Sequence, residues 1–174
     1  MTYGLVKPTN AILVQGKPFV QELKIETATN CYPGRLVITG TNDDDVVVCG
    51  AAGIAFGWLG YEQADANFMP TNVDTIYTVN HMAPVLYGGN FVIVGHLANG
   101  ESVKKGDRLT AGASGELIKA VASTVTAGAT PVTGSAATGT ISGGIPLGGI
   151  VVAIALETVN ASTGAADIMV KSMI

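Results

Sequence analysis

A chain of 174 residues with 48% hydrophobic content is long enough to bury a core without disulfide or metal staples. Only 13% of its residues are charged, the net charge is −4, and the nine Lys and Arg are scattered, which argues against nucleic acid, since phosphate binding needs clustered cations. The longest apolar run, 150–156, is too short to cross a bilayer as a helix, and residues 1–15 lack the positive start, apolar block and small-residue cleavage site of an export signal, so no membrane partner is expected.

Helical periodicity is hard to find, whereas period-two alternation and short β-branched runs recur between turn clusters, so the expected fold class is all-β. Residues 1–18 hold Pro8, Gly16 and Pro18 and have little of their own to pack, which reads as an extended N-terminal arm to a single β domain over 19–174. The first strand is expected at Phe19–Glu26. Strands at Arg35–Ile38 and Val46–Cys49 flank residues 39–45, TGTNDDD, whose Gly, Asn and Asp favour a tight reversal and hence a hairpin. Ala55–Tyr61 is a glycine-interrupted strand, residues 62–75 look irregular, and the strand signal returns at Ile76–Val79. Ala83–Tyr87 and Phe91–Leu97 follow, and Gly88-Gly89-Asn90 between them has the make-up of a hairpin turn. Ser102–Lys105, Arg108–Thr110 and Glu116–Lys119 come next, then two closing strands at Ile150–Glu157 and Asp167–Met173. Nineteen of the 25 residues 121–145 are Ala, Thr, Ser or Gly and none is charged. Such an insert builds no core by itself; it is a loop, or an arm that orders against something else.

Chemistry finds few footholds. A lipoyl or biotinyl carrier presents a Lys at a hairpin tip, but the tip here is Ala113-Ser114-Gly115, and Lys104, Lys105, Lys119 and Lys171 all lie away from it. Asp43-Asp44-Asp45 alternate in direction along an extended chain, cannot converge on one ion, and read as a solvated turn. Glu62 and Asp65 would share a face only on a helix, and His81 and His96, the only histidines, have no neighbouring ligand for zinc. Nucleophile elbow, Cys-His motif and phosphate-cradling loop are all missing, so no cofactor and no enzymatic activity are expected. Cys31 and Cys49 are read as free thiols, partly buried. Trp58, Tyr61, Phe68, Tyr77, Tyr87 and Phe91 gather in the middle third; they make a core or a binding patch, and the second option allows a glycan- or ligand-binding β module.

The order PGRLVITGTNDDDVVV, GIAFGWLGYEQA, VIVGHLANGESVKKGDRLTAGASGELIKA and GGIVVAIALETVNASTGAADIMVKSMI resembles the structural cement, or decoration, proteins of tailed bacteriophages. In that family a Lys-Gly-Asp turn and a later Ser-Gly turn precede a strand ending in Ala-Leu-Glu and a last strand. The matching positions are Lys105–Leu117, Gly149–Glu157 and Ile168–Ile174. The resemblance covers about residues 33–120 and 146–174 and implies a small β-barrel or sandwich-like domain with an arm and an insert. It further implies a homotrimer on the outer surface of an icosahedral virion, contacting the major capsid protein and bridging capsomers. The contacts it implies fall on the arm, the insert and nearby apolar residues: Tyr3, Leu5, Phe19, Trp58, Tyr61, Phe68, Thr130 and Val132, with Trp58 and Tyr61 as anchors.

Overall fold

The computed structural model describes residues 5–51, 53–61, 67, 70–120 and 150–174. Among them there is no α-helix, and thirteen strands carry the fold. They are β1 (Leu13–Gln15), β2 (Phe19–Ile25), β3 (Leu36–Thr39), β4 (Asp45–Val48), β5 (Gly57–Leu59), β6 (Met82–Tyr87), β7 (Val92–Leu97), β8 (Ser102–Val103), β9 (Arg108–Ala111), β10 (Leu117–Lys119), β11 (Ala153–Ala155), β12 (Val159–Asn160) and β13 (Ala166–Ser172). The all-β, barrel-like expectation is met, but the strands close into two barrels.

The first barrel runs β2-β4-β3-β5-β6. Its hairpin β3–β4 is the one the Gly/Asn/Asp cluster announces, with Val37 opposite Val48 and Thr39 opposite Val46. Leu23, Ile25, Val37, Val46, Leu59 and Val85 fill its interior. The second sheet runs β7-β10-β9-β11-β13, and β13 returns to β7 over six register pairs, so it also closes on itself, through the single parallel bridge between Leu97 and Leu117. Its strands β9, β10, β11 and β13 are the segments that carry the resemblance to decoration proteins.

The period-two pattern decides which side chains join the barrels. Leu36, Trp58 and Leu86 lie opposite one another across β3, β5 and β6, on the face of the first barrel turned away from its own interior. All three pack into the core of the second barrel, together with Ile93, Leu97, Leu117, Ile168 and Val170. Trp58 is wholly buried, and its indole N–H donates to Ser172 Oγ at 3.0 Å. The indole is admitted because Gly95 has no side chain: a Cβ there would lie 2.9 Å from Trp58 Cζ3. Two barrels too small to be independently robust thus share one apolar seam.

Gly88-Gly89-Asn90 does not turn a hairpin, since β6 pairs with β2 and β5 and β7 with β13, β1 and β10. All three residues have positive φ and carry the chain from one barrel to the other, while Gly89 N–H donates to Ile174 O and Asn90 N–H to Ser172 O. The C-terminal strand supplies the partners a hairpin would have found in its own strands. Ile76–Val79 forms no strand either. Tyr77 is buried there, with its hydroxyl on the carbonyl oxygens of Gly60 and Tyr61 and its N–H on Cys31 O, so the segment is fixed by one side chain instead of a ladder.

The arm expected over 1–18 is partly built into the fold. β1 pairs with β7, Val94 N–H donates to Ile12 O at 2.8 Å, and Ile12 is buried in the second barrel's core. The insert 121–145 lies outside the described residues. Its two flanks do not: Lys119 on β10 and Ala153 on β11 stand on opposite sides of the same residue, Leu109 of β9.

Candidate functional site

Two neighbouring apolar side chains are exposed at the start of β2. Sequence alternation would bury every second side chain of a strand, yet Phe19 and Val20 are 69% and 57% exposed and Gln21 and Glu22 are exposed as well. Geometry explains the breach: β6 lies along one edge of β2 from Phe19 to Lys24, while β4 reaches the other edge only at Lys24 and Ile25. The first half of β2 is therefore the outer strand of a ribbon in which β6 lies between it and β5. On one face of the ribbon, Phe19 and Tyr87 have ring centroids 5.9 Å apart and Phe56 and Tyr87 6.4 Å apart, which makes an aromatic row across the strands. On the other, Val20 and Leu86 form one wall of a groove of about 380 Å³ whose opposite wall is Ala11, Ile12 and Leu13 of the N-terminal segment, with Tyr61 also in its lining. Among the described residues, Lys17 is the one charged side chain lining it.

The residues expected to make contacts separate cleanly. Phe19 is at the ridge and Leu5 is 41% exposed. Trp58 and Tyr61 are 0% and 7% exposed, so the anchors expected at the surface are core residues instead, because the face of β5 that carries Trp58 is the seam between the barrels. Of the remaining aromatics, Tyr77 and Phe91 are buried too, so the core reading of the cluster holds for most of it. Tyr3, Phe68, Thr130 and Val132 lie outside the described residues. Val20 was missed by sequence reasoning, since Phe19 and Val20 read as alternate members of an ordinary half-buried strand. The charged residue types at Lys17, Glu22 and Lys24 could have marked β2 as an edge.

The polar residues singled out from sequence serve structure. Asp45, read as part of a solvated turn, is 3% exposed: its carboxylate binds Lys24 Nζ at 2.8 Å and accepts from Asn42 Nδ2 at 2.6 Å. The hydrogen bond from Lys24 and then that from Asn42 hold its carboxyl below the usual carboxylate range. Asp107 closes the Gly-Asp turn by accepting from Lys104 N–H at 2.8 Å and from Lys119 Nζ at 2.7 Å, the first of these being the main reason that its carboxyl also sits low. Arg35 crosses between the barrels, donating to Ser114 O at 2.6 Å and pairing with Glu116 at 3.1 Å while it stacks over Tyr32. Cys31 and Cys49 are free and buried, and burial pushes the Cys31 thiol up to about 11. Among the described residues no three His, Cys, Asp or Glu gather as metal ligands. What the surface offers is adhesion: an apolar ridge, a groove and a strand edge, with Lys17 in the groove and Glu22 on the strand.

No curated protein sequence matches the chain. Among solved structures, the N base of the bacteriophage phi29 head fiber gp8.5 is similar over 90% of this chain and 94% of its own, at 12% identity and a TM-score of 0.48. The family model of the XM1 gp53 minor capsid protein matches residues 5–166. That span takes in the first barrel and the second as far as the first residue of β13, well over half of the chain, so the chain belongs to the XM1 gp53 minor capsid protein family and is a structural protein of the phage virion.

Proposed function

We propose that the protein is a capsid decoration, or cement, protein: a homotrimer that binds the major capsid protein on the outer surface of the shell, bridges capsomers, and catalyses no reaction. The observation that carries this reading is the Phe19–Val20 ridge beside its groove, an apolar surface left open by a member of a minor capsid family. Burying two such side chains on a partner contributes about 3–5 kcal/mol, enough to form the centre of an interface but not the whole of one. The edge of β2 before Lys24 is also suited to receive an extended segment of the partner through backbone hydrogen bonds, which demand little of the side chains. Three copies acting together would multiply a modest single-site affinity through effective concentration. A subunit that binds only the mature lattice stabilises that lattice by mass action. The N-terminal arm and residues 121–145 supply further contacts in this reading.

Co-sedimentation with expanded, undecorated capsids tests it. The bound protein is expected to saturate at a fixed ratio to the major capsid protein, with three copies at each occupied position. Phe19→Ala combined with Val20→Ala is expected to lower the affinity at least tenfold. Absence of saturable binding to any form of the shell would refute the proposal.

A further inference from the structure

His96 sits where three parts of the chain meet, and both of its ring nitrogens face oxygen atoms. Its Nδ1 lies 2.9 Å from Asp167 Oδ1 on β13, and its Nε2 lies 2.9 Å from the carbonyl oxygen of Pro33 in the first barrel. A carbonyl oxygen can only accept, and so can a carboxylate, so both contacts are hydrogen bonds at once only when both ring nitrogens carry hydrogen. Neutral imidazole has only one N–H to give. The opposite arrangement, a neutral ring facing a protonated Asp167, is disfavoured because the hydrogen bond from His96 holds the Asp167 carboxyl below its usual range.

The remaining charges around the ring are accounted for. Lys7, on the N-terminal segment, donates to Asp167 O at 2.7 Å and pairs with Glu157 at 2.9 Å. Asp74 lines the same small cavity as His96, Asp167 and Pro33, and the N-terminal residues Pro8, Thr9 and Ile12 close it. Arg35 is two residues beyond Pro33 but is turned onto Ser114 and Glu116. The approach of Pro33 to the ring depends on Gly34, where φ is +83° and a Cβ would lie 2.6 Å from Val94 O.

We propose that His96 is a proton-dependent bolt between the two barrels, tying Pro33 to Asp167 while doubly protonated and losing one of those two bonds when it deprotonates. The ring shares a small cavity with Pro8, Thr9, Ala11 and Ile12, so the bolt stands beside the N-terminal segment that walls the groove. The direction follows from the chemistry. The bolt is closed above the pH at which Asp167 protonates, is closed while the imidazole is charged, and opens as pH rises. Its consequence for docking rests on the proposed function, but the bolt itself does not, and a test on the free protein reads it alone.

Hydrogen exchange of the full chain, corrected for the intrinsic pH dependence of exchange, is compared at about pH 5.5 and about pH 8.5, on either side of the range in which an imidazole changes charge. Opening of peptides covering 5–12 and 31–36 is expected to rise about tenfold at the higher pH, the scale of one lost hydrogen bond to a charged group. His96→Gln is expected to exchange rapidly at both values, and His81→Gln to behave like the unaltered protein. A flat profile in the unaltered protein, or a pH response that survives in His96→Gln, would overturn the bolt. Should that variant fail to fold, ring ¹⁵N shifts of the unaltered protein decide. Two protonated nitrogens on His96 at the lower pH support the proposal, and a single-tautomer neutral ring there overturns it.

Discussion

Replacing Trp58 with Ala tests whether the seam between the barrels is the main source of cohesion. The side chain is 0% exposed, rests against Gly95 and Leu117, and donates to Ser172 Oγ. Truncation of a buried Trp costs about 3–5 kcal/mol, most of it from the cavity that rigid β-strands cannot close. Ser172 is not orphaned by the loss, because its hydroxyl still donates to Ile174 O at 2.7 Å, so no further desolvation penalty is added. In a chain of this size the expected fall in melting temperature is about 12 °C. Trp58→Phe keeps most of the apolar volume while deleting the N–H, and is expected to cost about 1–2 kcal/mol. Urea unfolding followed by far-UV circular dichroism measures all three proteins without relying on Trp fluorescence. Because Gly95→Ala fills part of the same space, its cost should shrink in the Trp58→Ala background, a coupling that a double-mutant cycle would read. A Trp58→Ala protein within about 1 kcal/mol of the parent that has lost capsid binding would refute the argument and return Trp58 to the surface role that the sequence implied.

Phe19→Ala, at a site 69% exposed, is expected to change stability by less than about 1 kcal/mol while weakening capsid co-sedimentation, and a large loss of stability would mean that the ridge is structural. Gly115→Ala is expected to cost about 2 kcal/mol or more by urea unfolding, since its φ is +70° and a Cβ would lie 2.6 Å from Leu36 O. Asp45 is held below the usual carboxylate range by Lys24, so its contribution is present above that range and is lost as pH falls through the lowered value. The acid limb of the urea midpoint should therefore flatten in Asp45→Asn, and an unchanged limb would refute that assignment. Neither cysteine should react with a maleimide at about pH 8 unless the chain is unfolded, because both thiols are buried and burial raises both.

Strand existence was legible in the sequence where a β-branched run met a turn cluster, as at Val37–Ile38 and Val46–Val48, because both signals are local, whereas at Ile76–Val79 the same signal gave no strand. Closure was not. Gly88-Gly89-Asn90 carries the residues of a hairpin turn, and only the C-terminal strand, some eighty positions later, converts it into a crossing between barrels. β1, three residues long, is held by pairing to β7 and not by any propensity of Leu13-Val14-Gln15. For the same reason Trp58 could be read as an aromatic near the surface: its burial depends on Gly95 and Ser172, which no local pattern connects to it. The ridge was half visible. Phe19 is a conspicuous apolar residue at the start of a strand, but that β4 pairs with β2 only from Lys24 onward is a property of register.

The two flanks of residues 121–149 also bear on how such a chain can be altered. Lys119 and Ala153 face the same residue of β9 from opposite sides, so the points of exit and return are about 10 Å apart, two inter-strand spacings. Any segment long enough to span that gap satisfies the barrel, and doubling its length costs only about 0.6 kcal/mol in loop closure. The barrel itself therefore asks only one thing of whatever joins β10 to β11, that its two ends meet these neighbouring positions on either side of β9.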